Sequence, residues 1–418
     1  MPGEGLHIGT MESENLPVVV VGAGAAGLMA AITAAQAGAR VVLLEGTREG
    51  GRKILISGGG RCNVLPSALD PGRFVTESSP HALRRMLHSF PLDQQRDFFE
   101  RDLKIPLALE EETGKLFPVS NRARDVRDGL VNHAGRQGVL VSFGSRLASL
   151  ERVSAGWRLE TTSNGPLTAR AVVIATGGLS VPNTGSDGVG LDLVRALGHS
   201  IISPYPALTP LTGNSAFHHE LAGVSLHSSL SAPTNRFHTT GGFLFTHRGY
   251  SGPAVLDISH LAARARLRRE SVPQITVNWC ALGQEEWNGM LQQRTAATVG
   301  SVVRRQLPAR LGDGILMEAG LEPALPISQL AREARLRLVD LLVRYELPWT
   351  GDEGYKKAEV TGGGVALAEV QPTTLESRRC PGLFLCGEIL DAFGPIGGHN
   401  FAWAWATGRA AGLSAARP

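Results

Sequence analysis

The stretch PVVVVGAGAAGLMAAITAAQAGARVVLLEG, residues 17–46, decides the fold of this chain. Its run of valines, Val18 to Val21, is typical of a strand that is buried in a parallel sheet. The alanine-rich segment from Leu28 to Ala37 predicts a helix that ends at Gly38, and Val41 to Leu44 predicts a second strand. A strand, a glycine-rich turn, a helix and a strand in this order indicate the βαβ unit of a dinucleotide-binding domain.

The three glycines of the turn have separate predicted roles. Gly22 permits the tight turn, Gly24 lets the backbone approach a pyrophosphate, and Gly27 allows close packing of helix on strand. The helix then presents its free N–H groups and its positive dipole end to the diphosphate. Glu45 closes the second strand, where a carboxylate accepts hydrogen bonds from ribose hydroxyls. The alternative is a glycine-packed βαβ unit without a ligand. The predicted contacts are Gly22, Gly24, Ala25, Ala26, Gly27 and Glu45.

Two later segments indicate that the dinucleotide is FAD. RAVVIATGGLSVPNTGSDGVG, residues 170–190, begins as a buried strand and breaks at A-T-G, which in flavoproteins with two dinucleotide folds returns the chain to the diphosphate. PGLFLCGEILDAFGPIGGHNFAWAWATGRAAG, residues 381–412, holds a glycine-acid turn that suits a ribityl hydroxyl and a helix start that suits a reduced flavin. Either segment alone has a purely structural interpretation, but their joint occurrence favours FAD. The predicted contacts are Leu147, Ala175, Thr176, Gly177, Gly387, Glu388, Asp391, Gly397, Gly398, His399 and Asn400.

A second glycine-rich loop, GRKILISGGGRCN at residues 51–63, follows Glu45 closely. Its backbone and its cations can reach the same ligand, and we expect its second half to run alongside the flavin ring, where glycine lets the backbone lie flat. The alternative is an irregular surface loop. Cys62 has no resolving partner, so a packing role is favoured over a redox role. The predicted contacts are Gly51, Arg52, Lys53, Ser57, Gly59, Gly60, Arg61, Cys62 and Asn63.

On these motifs the chain resembles the bacterial aminoacetone-oxidase-like FAD-binding flavoproteins, the YhiN/BaiN type, from Pro17 to Gly408. The most specific matching stretches are GRKILISGGGRCN and FTHRGYSGP, which fits the family pattern FTHxGxSGP. ATGGLSVPNTGSDGVG, AEVTGGGV and GLFLCGEILDAFGPIGGHNFAWAWATG also match. The chain departs from the family at His399, where GGYN is common, and after Asn63, where Thr-Asn is common.

The resemblance implies an α/β fold with a Rossmann-like FAD domain of the two-dinucleotide-binding type, an inserted β-barrel-like domain and a helical subdomain. Within the insert, Ser251-Gly252-Pro253 predicts a helix start with Ser251 as the cap. Met11 is a second candidate start of the chain. The predicted boundaries are 1–16 for a flexible leader, 17–203 and 349–418 for the two parts of the FAD domain, 204–282 for the β-rich insert and 283–348 for the helical subdomain.

The predicted function is FAD-dependent oxidoreduction, with a hydride transferred between a small organic substrate and the flavin. Three versions stay open: a reductase linked to NAD(P)H, an oxidase of a small aminoacetone-like amine, and, from another class, an RNA-binding flavoprotein. No second dinucleotide fingerprint exists, so NAD(P)H would bind without a Rossmann domain of its own. The catalytic candidates are His399, Asn400 and His247, and Tyr250 is a further candidate. We expect His399→Ala and Asn400→Ala to change flavin reactivity more than His247→Ala.

Composition narrows the class of protein only slightly. The 418 residues are 43% hydrophobic and 19% charged, which allows two or three domains with large cores. The net charge is +3 and the arginines are scattered, so no nucleic-acid partner is expected. The four cysteines form no CxxC or metal-ligand spacing, which predicts reduced thiols in a cytoplasmic protein and no metal site. The glycine-rich turn argues against a membrane span near the N-terminus. The sequence indicates no oligomeric state.

Overall fold

The computed structural model describes residues 16–163, 165–293 and 295–417. The predicted leader therefore lies outside the described residues, apart from Leu16. The chain divides into two compact units. The first comprises the chain up to Pro204 together with the chain from Val360 onward, and the second is Tyr205–Glu359. Each unit has its own hydrophobic core. Among the described residues, no helix is both long and apolar enough to span a membrane.

A five-stranded parallel sheet forms the centre of the first unit. The valine strand lies in the middle, where Val18 is level with Ala171 on one side and with Val41 on the other. All four valines are buried, because a central parallel strand has a neighbour on each edge and both faces covered. The α/β Rossmann-like fold class is confirmed. In order across the sheet, the strands are Leu383–Leu385, Ala171–Ile174, Val18–Val21, Val41–Glu45 and Leu140–Phe143.

The helix that follows the glycine turn is Ala25–Gln36, so it begins three residues earlier than the sequence predicts. Gly38 follows its end with φ +91°, the left-handed conformation in which glycine terminates helices. Alanine and glycine dominate this helix because another helix lies directly against it.

That neighbour is the last helix of the chain, His399–Ala415. Two glycines let the backbones approach closely. A Cβ on Gly408 would lie 2.3 Å from the carbonyl oxygen of Ala26, and a Cβ on Gly412 would lie 2.2 Å from that of Ala30. The packing therefore fixes the N-terminal half of the first helix relative to the last helix.

Smaller elements complete the first unit. Its two antiparallel sheets have the strand orders Leu65–Pro66, Lys115–Pro118, Leu107–Glu110 and Leu147–Val153, Gly156–Thr161, Gly165–Ala169. Ile201–Ala207 pairs with Val360–Val365 in a two-stranded sheet. The further α-helices are Arg52–Ile56, Pro80–Leu87, Leu92–Asp97, Ala123–Arg136 and Val189–Ala196. Short 3₁₀ or π turns cover Ser57–Gly60, Pro71–Arg73, Phe98–Asp102, Pro182–Thr184, Leu367–Glu369 and Gly387–Ile389.

The second unit is built on a seven-stranded antiparallel sheet with helices from the same segment. Its helix after the FTHRGYSGP stretch begins at Pro253 with Gly252 as the cap, so the predicted Ser251 cap is wrong: Ser251 ends a strand instead. The strand order is Tyr345–Glu346, Thr276–Asn278, Ser225–Ala232, Phe237–Thr246, Gly249–Ser251, Leu211–Gly213 and Trp349–Asp352. The helices are Ala216–Glu220, Pro253–Arg268, Gln284–Leu291, Val299–Arg304, Ala309–Glu318 and Arg332–Val343, and 3₁₀ turns cover Pro233–Asn235 and Ile327–Gln329.

Candidate active site

The first glycine turn combines two closed positions with one open position. A Cβ on Gly22 would lie 2.6 Å from the carbonyl oxygen of Ala175, and a Cβ on Gly27 would lie 1.8 Å from that of Gly22. Around Gly24, by contrast, no atom of the described residues other than its chain neighbours lies within 4 Å of the added Cβ. The N–H groups in the first turn of an α-helix have no acceptor within the helix. The turn therefore offers backbone donors over an open approach, as a diphosphate site requires.

Glu45 folds back onto this turn. Its Oε2 accepts a hydrogen bond from the Ala23 N–H at 2.8 Å, and its Oε1 accepts from the N–H and the hydroxyl of Thr47 at 2.8 and 2.7 Å. The side chain is largely buried at the end of its strand. Three donors hold the carboxylate in one orientation beside the glycine turn, at the position where the sequence predicts ribose recognition.

The second glycine loop is attached to the same turn. The Gly51 N–H donates to the carbonyl oxygen of Ala23 at 2.8 Å, and Gly51 has φ +69°. Further along, Gly58, Gly59 and Gly60 are exposed and have φ values of +55°, +67° and +85°. Three successive positive φ angles explain the glycine run, because other residues rarely adopt them. The loop thus extends the exposed backbone surface that starts at the first turn.

Lys53 from this loop meets Glu388 from the glycine-acid turn, far away in the sequence. The Lys53 ammonium lies 2.5 Å from Glu388 Oε2 and 2.5 Å from the Ser180 hydroxyl. Glu388 Oε1 accepts from the Ser180 hydroxyl at 2.5 Å and from the hydroxyl and N–H of Thr361 at 3.0 and 3.1 Å. We call Lys53, Ser180, Thr361 and Glu388 the carboxylate hub. It joins two predicted FAD contacts, and both charged side chains keep partial solvent exposure.

Ser180 and Thr361 are the hub residues that the sequence-based prediction missed. They lie in ATGGLS and AEVTGGGV, stretches that the resemblance includes, but the prediction gave neither residue a role. The Thr361 hydroxyl accepts from the N–H groups of Leu179 and Ser180 at 2.7 and 3.1 Å, so its own proton goes to Glu388. Gly178 is required here, because a Cβ would lie 2.3 Å from that hydroxyl.

The A-T-G turn also packs tightly. Gly177 has φ +75°, and a Cβ on it would lie 2.7 Å from the Ser186 hydroxyl. The Thr176 hydroxyl is buried and meets no hydrogen-bond partner among the described residues. Gly387, with φ +78°, brings the glycine-acid turn against the first helix, where its Cβ would lie 2.7 Å from the methyl of Ala26. The ends of three parallel strands therefore converge at the start of that helix.

The loop before the last helix is held at both ends by side chains. Asp391 is buried and its Oδ2 accepts from the Thr76 hydroxyl at 3.0 Å, the Glu77 N–H at 2.9 Å and the Ser78 hydroxyl at 2.9 Å. Burial raises the pKa of Asp391, and these hydrogen bonds oppose the shift. The Asn400 amide makes a reciprocal pair with the backbone of Gly394, at 2.8 and 2.9 Å. Both side chains are thus engaged in shaping this loop.

The tip of that loop lies beside the end of the second glycine loop. A Cβ on Gly398 would lie 2.9 Å from Asn63 Oδ1, and a Cβ on Gly397 would lie 3.6 Å from the Nδ1 of His399. Gly398, with φ +90°, caps the last helix, and His399 is its first residue. The structure therefore brings Asn63, Gly397, Gly398 and His399 together.

Other predicted contacts point elsewhere or lack a described role. Arg61 pairs with Glu110 at 3.1 Å, and its guanidinium lies 3.9 Å from the centre of the Phe117 ring. Cys62 is fully buried, and burial raises the pKa of its thiol to about 12, so it stays protonated at neutral pH. Leu147 is buried at the start of a strand. Arg52 is partly exposed in its short helix, and the Ser57 hydroxyl donates to the Ile54 carbonyl oxygen at 2.7 Å.

His247 and Tyr250 belong to the second unit. His247 is exposed in the tight turn after Phe237–Thr246, whereas Tyr250 is buried. The Tyr250 hydroxyl lies 2.7 Å from the Nδ1 of His218, whose Nε2 lies 3.1 Å from the Tyr345 hydroxyl. Burial lowers the pKa of His218 to about 4 and raises that of Tyr250. Tyr250 is therefore part of a buried polar cluster.

The first unit fits FAD on its own geometry. The open approach over Gly24, the donors of the first helix turn and the unpartnered Thr176 hydroxyl suit a diphosphate. Glu45 suits an adenosine ribose, and Glu388 suits the other half of the cofactor. The class defined by this fold and site is a flavoprotein with a Rossmann-like FAD domain.

The chain belongs to the family described as HI0933-like protein Rossmann domain, whose model matches residues 16–414. The resemblance to the YhiN/BaiN-type flavoproteins is confirmed. The chain is an FAD-dependent oxidoreductase by family.

Curated relatives match it over nearly their whole length. The ribosomal RNA dihydrouridine synthase of Escherichia coli K12 is 33% identical over 399 residues, which is 94% of this chain and 96% of that protein. The protein of the same name from Haemophilus influenzae is 31% identical, covering 97% of this chain and 99% of the relative. The 3-dehydro-bile acid delta(4,6)-reductase of Clostridium scindens is 31% identical, covering 95% and 98%.

Solved structures support the fold alone. The 3-ketosteroid delta1-dehydrogenase of Sterolibacterium denitrificans is 13% identical with a TM-score of 0.53, covering 96% of this chain and 99% of that one. The 3-ketosteroid-delta4-(5alpha)-dehydrogenase of Rhodococcus jostii RHA1 is 16% identical with a TM-score of 0.50, and each chain is covered completely. At these identities the comparison indicates a shared architecture.

Proposed function

We propose that this protein reduces a carbon–carbon double bond that is conjugated to a carbonyl, and that its substrate is a uridine in ribosomal RNA. The observation that carries the proposal is the full-length relationship to two proteins named ribosomal RNA dihydrouridine synthase. The third relative is named as a delta(4,6)-reductase of a 3-dehydro-bile acid. A dihydrouridine synthase and a delta(4,6)-reductase both reduce a carbon–carbon double bond, so the names of all three relatives describe the same type of reaction. This proposal departs from the expectation of no nucleic-acid partner, which rested on the scatter of the arginines.

The reaction balances with NAD(P)H as the reductant. NAD(P)H and one proton are consumed, one hydrogen is added to each carbon of the double bond as hydride and proton, and NAD(P)⁺ is released. FAD, when bound, supplies the two-electron hydride chemistry between donor and substrate. In uridine the hydride joins the carbon that lies β to the carbonyl and the proton joins the α carbon. Negative charge therefore develops on the carbonyl oxygen.

The residues of the chain bind and orient the cofactor in this reaction. The first-turn N–H groups of Ala25–Gln36 bind the diphosphate, and Glu45 binds the ribose of the adenosine. The carboxylate hub holds Glu388 with four donors, which fix the orientation of its carboxylate. Asp391 and Asn400 fix the loop from which the last helix starts.

A second candidate substrate is a steroid-like enone, favoured by the relationship to the bile acid reductase. The oxidase alternative from the sequence differs in the direction of electron flow: a small amine such as aminoacetone would reduce the flavin, and oxygen would reoxidise it. Reduction of the flavin by NAD(P)H without oxygen separates these alternatives, because an oxidase of this kind has no need for a pyridine nucleotide.

The test uses the purified holoenzyme and ribosomal RNA from an Escherichia coli strain that lacks its own dihydrouridine synthase. The RNA is incubated with enzyme and NADPH or NADH without oxygen, digested to nucleosides and analysed for dihydrouridine by mass spectrometry. We expect dihydrouridine only when enzyme and nucleotide are both present. No dihydrouridine, together with reduction of a 3-keto-Δ4,6 bile acid, would replace the RNA substrate by the second candidate. Turnover of aminoacetone with oxygen and no response to NAD(P)H would reject both.

A further inference from the structure

The helix Pro80–Leu87 of the first unit is basic on the side that faces solvent. Its buried residues cover one side: Leu83, Met86 and Leu87. The exposed residues lie at positions i, i+3, i+4 and i+7, a spacing that places them together on the other side: His81, Arg84, Arg85 and the capping residue His88. We call these four exposed residues the basic face. The helix therefore separates apolar and cationic side chains completely.

Exposed arginines on other helices of this protein pair with a carboxylate nearby in the sequence. Arg195 lies 2.5 Å from Asp192, three residues before it, and Arg344 lies 2.5 Å from Asp340, four residues before it. Such pairs reduce the charge of a helix surface. The helix Pro80–Leu87 cannot form them, because no acidic residue occurs between Glu77 and Asp93 in the sequence. The basic face therefore differs from the other arginine-bearing helix surfaces in its charge.

The elements packed against this helix do not neutralise it. They are the last helix and the turns Pro71–Arg73 and Leu367–Glu369. These elements carry the cations Arg73 and Arg409 and the acid Glu369, which is buried and lies 3.1 Å from the Nη2 of Arg379. Asp70 precedes the first turn and caps it. Three cations and two carboxylates in this neighbourhood leave the positive charge of the basic face uncompensated.

The segment that leads into this helix is attached to the loop before the last helix, where the sequence predicts FAD contacts. The hydroxyls of Thr76 and Ser78 and the N–H of Glu77 donate to Asp391 Oδ2 at 2.9 to 3.0 Å. The helix begins two residues after Ser78. A polyanion that lies along the basic face is therefore held next to the loop that Asp391 shapes.

We propose that the basic face binds the phosphate backbone of the RNA substrate beside the uridine that is reduced. This inference rests on the proposed function, and it names the surface that receives the RNA. Guanidinium groups bind phosphate oxygens in pairs, and imidazoles add hydrogen-bond donors. From His81 to His88 the face extends about 10 Å along the helix axis, which spans several successive phosphates of one strand. Contacts of this kind fix the position of a nucleic acid without reading its sequence.

The first measurement is RNA binding by the holoenzyme without turnover. The double variant Arg84→Gln/Arg85→Gln is compared with Arg158→Gln/Arg195→Gln, which removes the same charge from exposed arginines that pair with Glu160 and Asp192. Ribosomal RNA from the strain without its own dihydrouridine synthase is titrated by filter binding between about 50 and 200 mM KCl. We expect the first variant to bind about tenfold more weakly, and to lower the slope of log affinity against log salt by about 1.5. The control should keep the wild-type slope.

The second measurement is catalysis by the same variants. Dihydrouridine formation by Arg84→Gln/Arg85→Gln should fall about tenfold at low RNA concentration and recover at saturating RNA, because the phosphate contacts raise affinity without touching the reacting atoms. Flavin content and flavin bleaching by NADPH without oxygen should stay at the wild-type values. The urea midpoint of unfolding is recorded as well, since cations in the last turn of a helix also stabilise it through the helix dipole.

Four outcomes contradict the inference or the proposed function. RNA turnover by wild type, with equal RNA binding by both double variants, would remove this inference alone. Weaker RNA binding together with flavin loss and a lower urea midpoint would mean a structural role for Arg84 and Arg85. Binding of wild type to phosphatidylglycerol vesicles, lost in Arg84→Gln/Arg85→Gln and without RNA binding, would replace RNA by an anionic membrane. RNA binding through the basic face without dihydrouridine formation would support the surface and contradict the proposed function.

Discussion

The starts of the first and the last helix of the FAD-binding unit use different chemistry. Ala25–Gln36 begins with Gly24 and two alanines, so its first turn presents backbone and methyl groups. Gly398 caps His399–Ala415, and two polar side chains follow it, one buried and one bonded to the loop. The comparison teaches that one site is made by the backbone and the other by side chains. Five predictions test this difference.

The largest effect is expected at the backbone-made site. Gly27→Ala places a Cβ 1.8 Å from the Gly22 carbonyl oxygen, so the turn must move whether or not FAD is present. We expect a loss of more than about 3 kcal/mol in the free energy of unfolding and almost no bound flavin. Gly24→Ala meets open space, and should leave the stability of the flavin-free protein unchanged while it weakens FAD binding at least about tenfold. Denaturant unfolding and FAD titration measure both. Equal behaviour of the two variants would contradict the division into closed and open glycines.

The second-largest effect is expected at the contact between the helices Ala25–Gln36 and His399–Ala415. Gly408→Ala places a Cβ 2.3 Å from the Ala26 carbonyl oxygen and forces the helices apart. The expected cost is about 2–3 kcal/mol of unfolding free energy. Gly135→Ala is the matched control, because Gly135 is also helical and, in the part of the chain that the structure describes, its Cβ would meet no atom within 4 Å outside its own stretch of helix. That change should stabilise the protein by up to about 1 kcal/mol. Destabilisation by both variants would indicate a general intolerance of the fold.

The first glycine turn and the carboxylate hub show which parts of the site could be predicted from the sequence and which could not. Gly22, Gly24 and Gly27 were predicted with their roles because the glycine spacing is a property of one contiguous backbone turn. Ser180 and Thr361 were missed because their function depends on a carboxylate from a third segment, which only the folded chain brings to them. Asp391 and Asn400 occupy predicted positions, yet their side chains bond to protein backbone. The spacing of residues in the sequence predicts a site that one backbone turn forms. It does not predict a site that side chains from distant segments form.

The third prediction concerns acid stability, to which the last helix start contributes through His399 and the first helix start contributes no titratable side chain. The folded-state pKa of His399 is about 4, below its unfolded value, so the folded protein binds fewer protons between these values. The stability from the neutral ring is full above about pH 6.5 and is lost as the pH falls towards 4. Wild type should lose about 2 kcal/mol more than His399→Phe between pH 7.5 and 5. Urea unfolding at the two pH values measures the difference. Parallel losses in both proteins would contradict the burial argument.

The fourth prediction tests whether the carboxylate hub acts through FAD. Ser180→Ala removes one donor to Glu388 and one acceptor for Lys53. The loss should be about 1 kcal/mol, seen as a roughly fivefold weaker FAD affinity by fluorescence titration. Ser89→Ala is the control, since that hydroxyl donates at 2.6 Å to the Met86 carbonyl oxygen at a helix end. The FAD affinity of Ser89→Ala should stay at the wild-type value. An equal loss of affinity in both variants would contradict a specific role of the carboxylate hub in FAD binding.

The smallest effect is expected at Arg61, which the sequence places with Lys53 as a cation that can reach the dinucleotide. The structure distinguishes the two: Lys53 joins the carboxylate hub, whereas Arg61 lies on the Phe117 ring and pairs with the partly exposed Glu110. We therefore expect Lys53→Ala to weaken FAD binding about tenfold, and Arg61→Ala to change it less than about twofold, because exposed ion pairs contribute little. Titration of both flavin-free variants with FAD measures the contrast. A larger loss for Arg61→Ala would indicate that Arg61 contacts the dinucleotide. The second glycine loop would then contribute a charged side chain to the cofactor site in addition to its backbone.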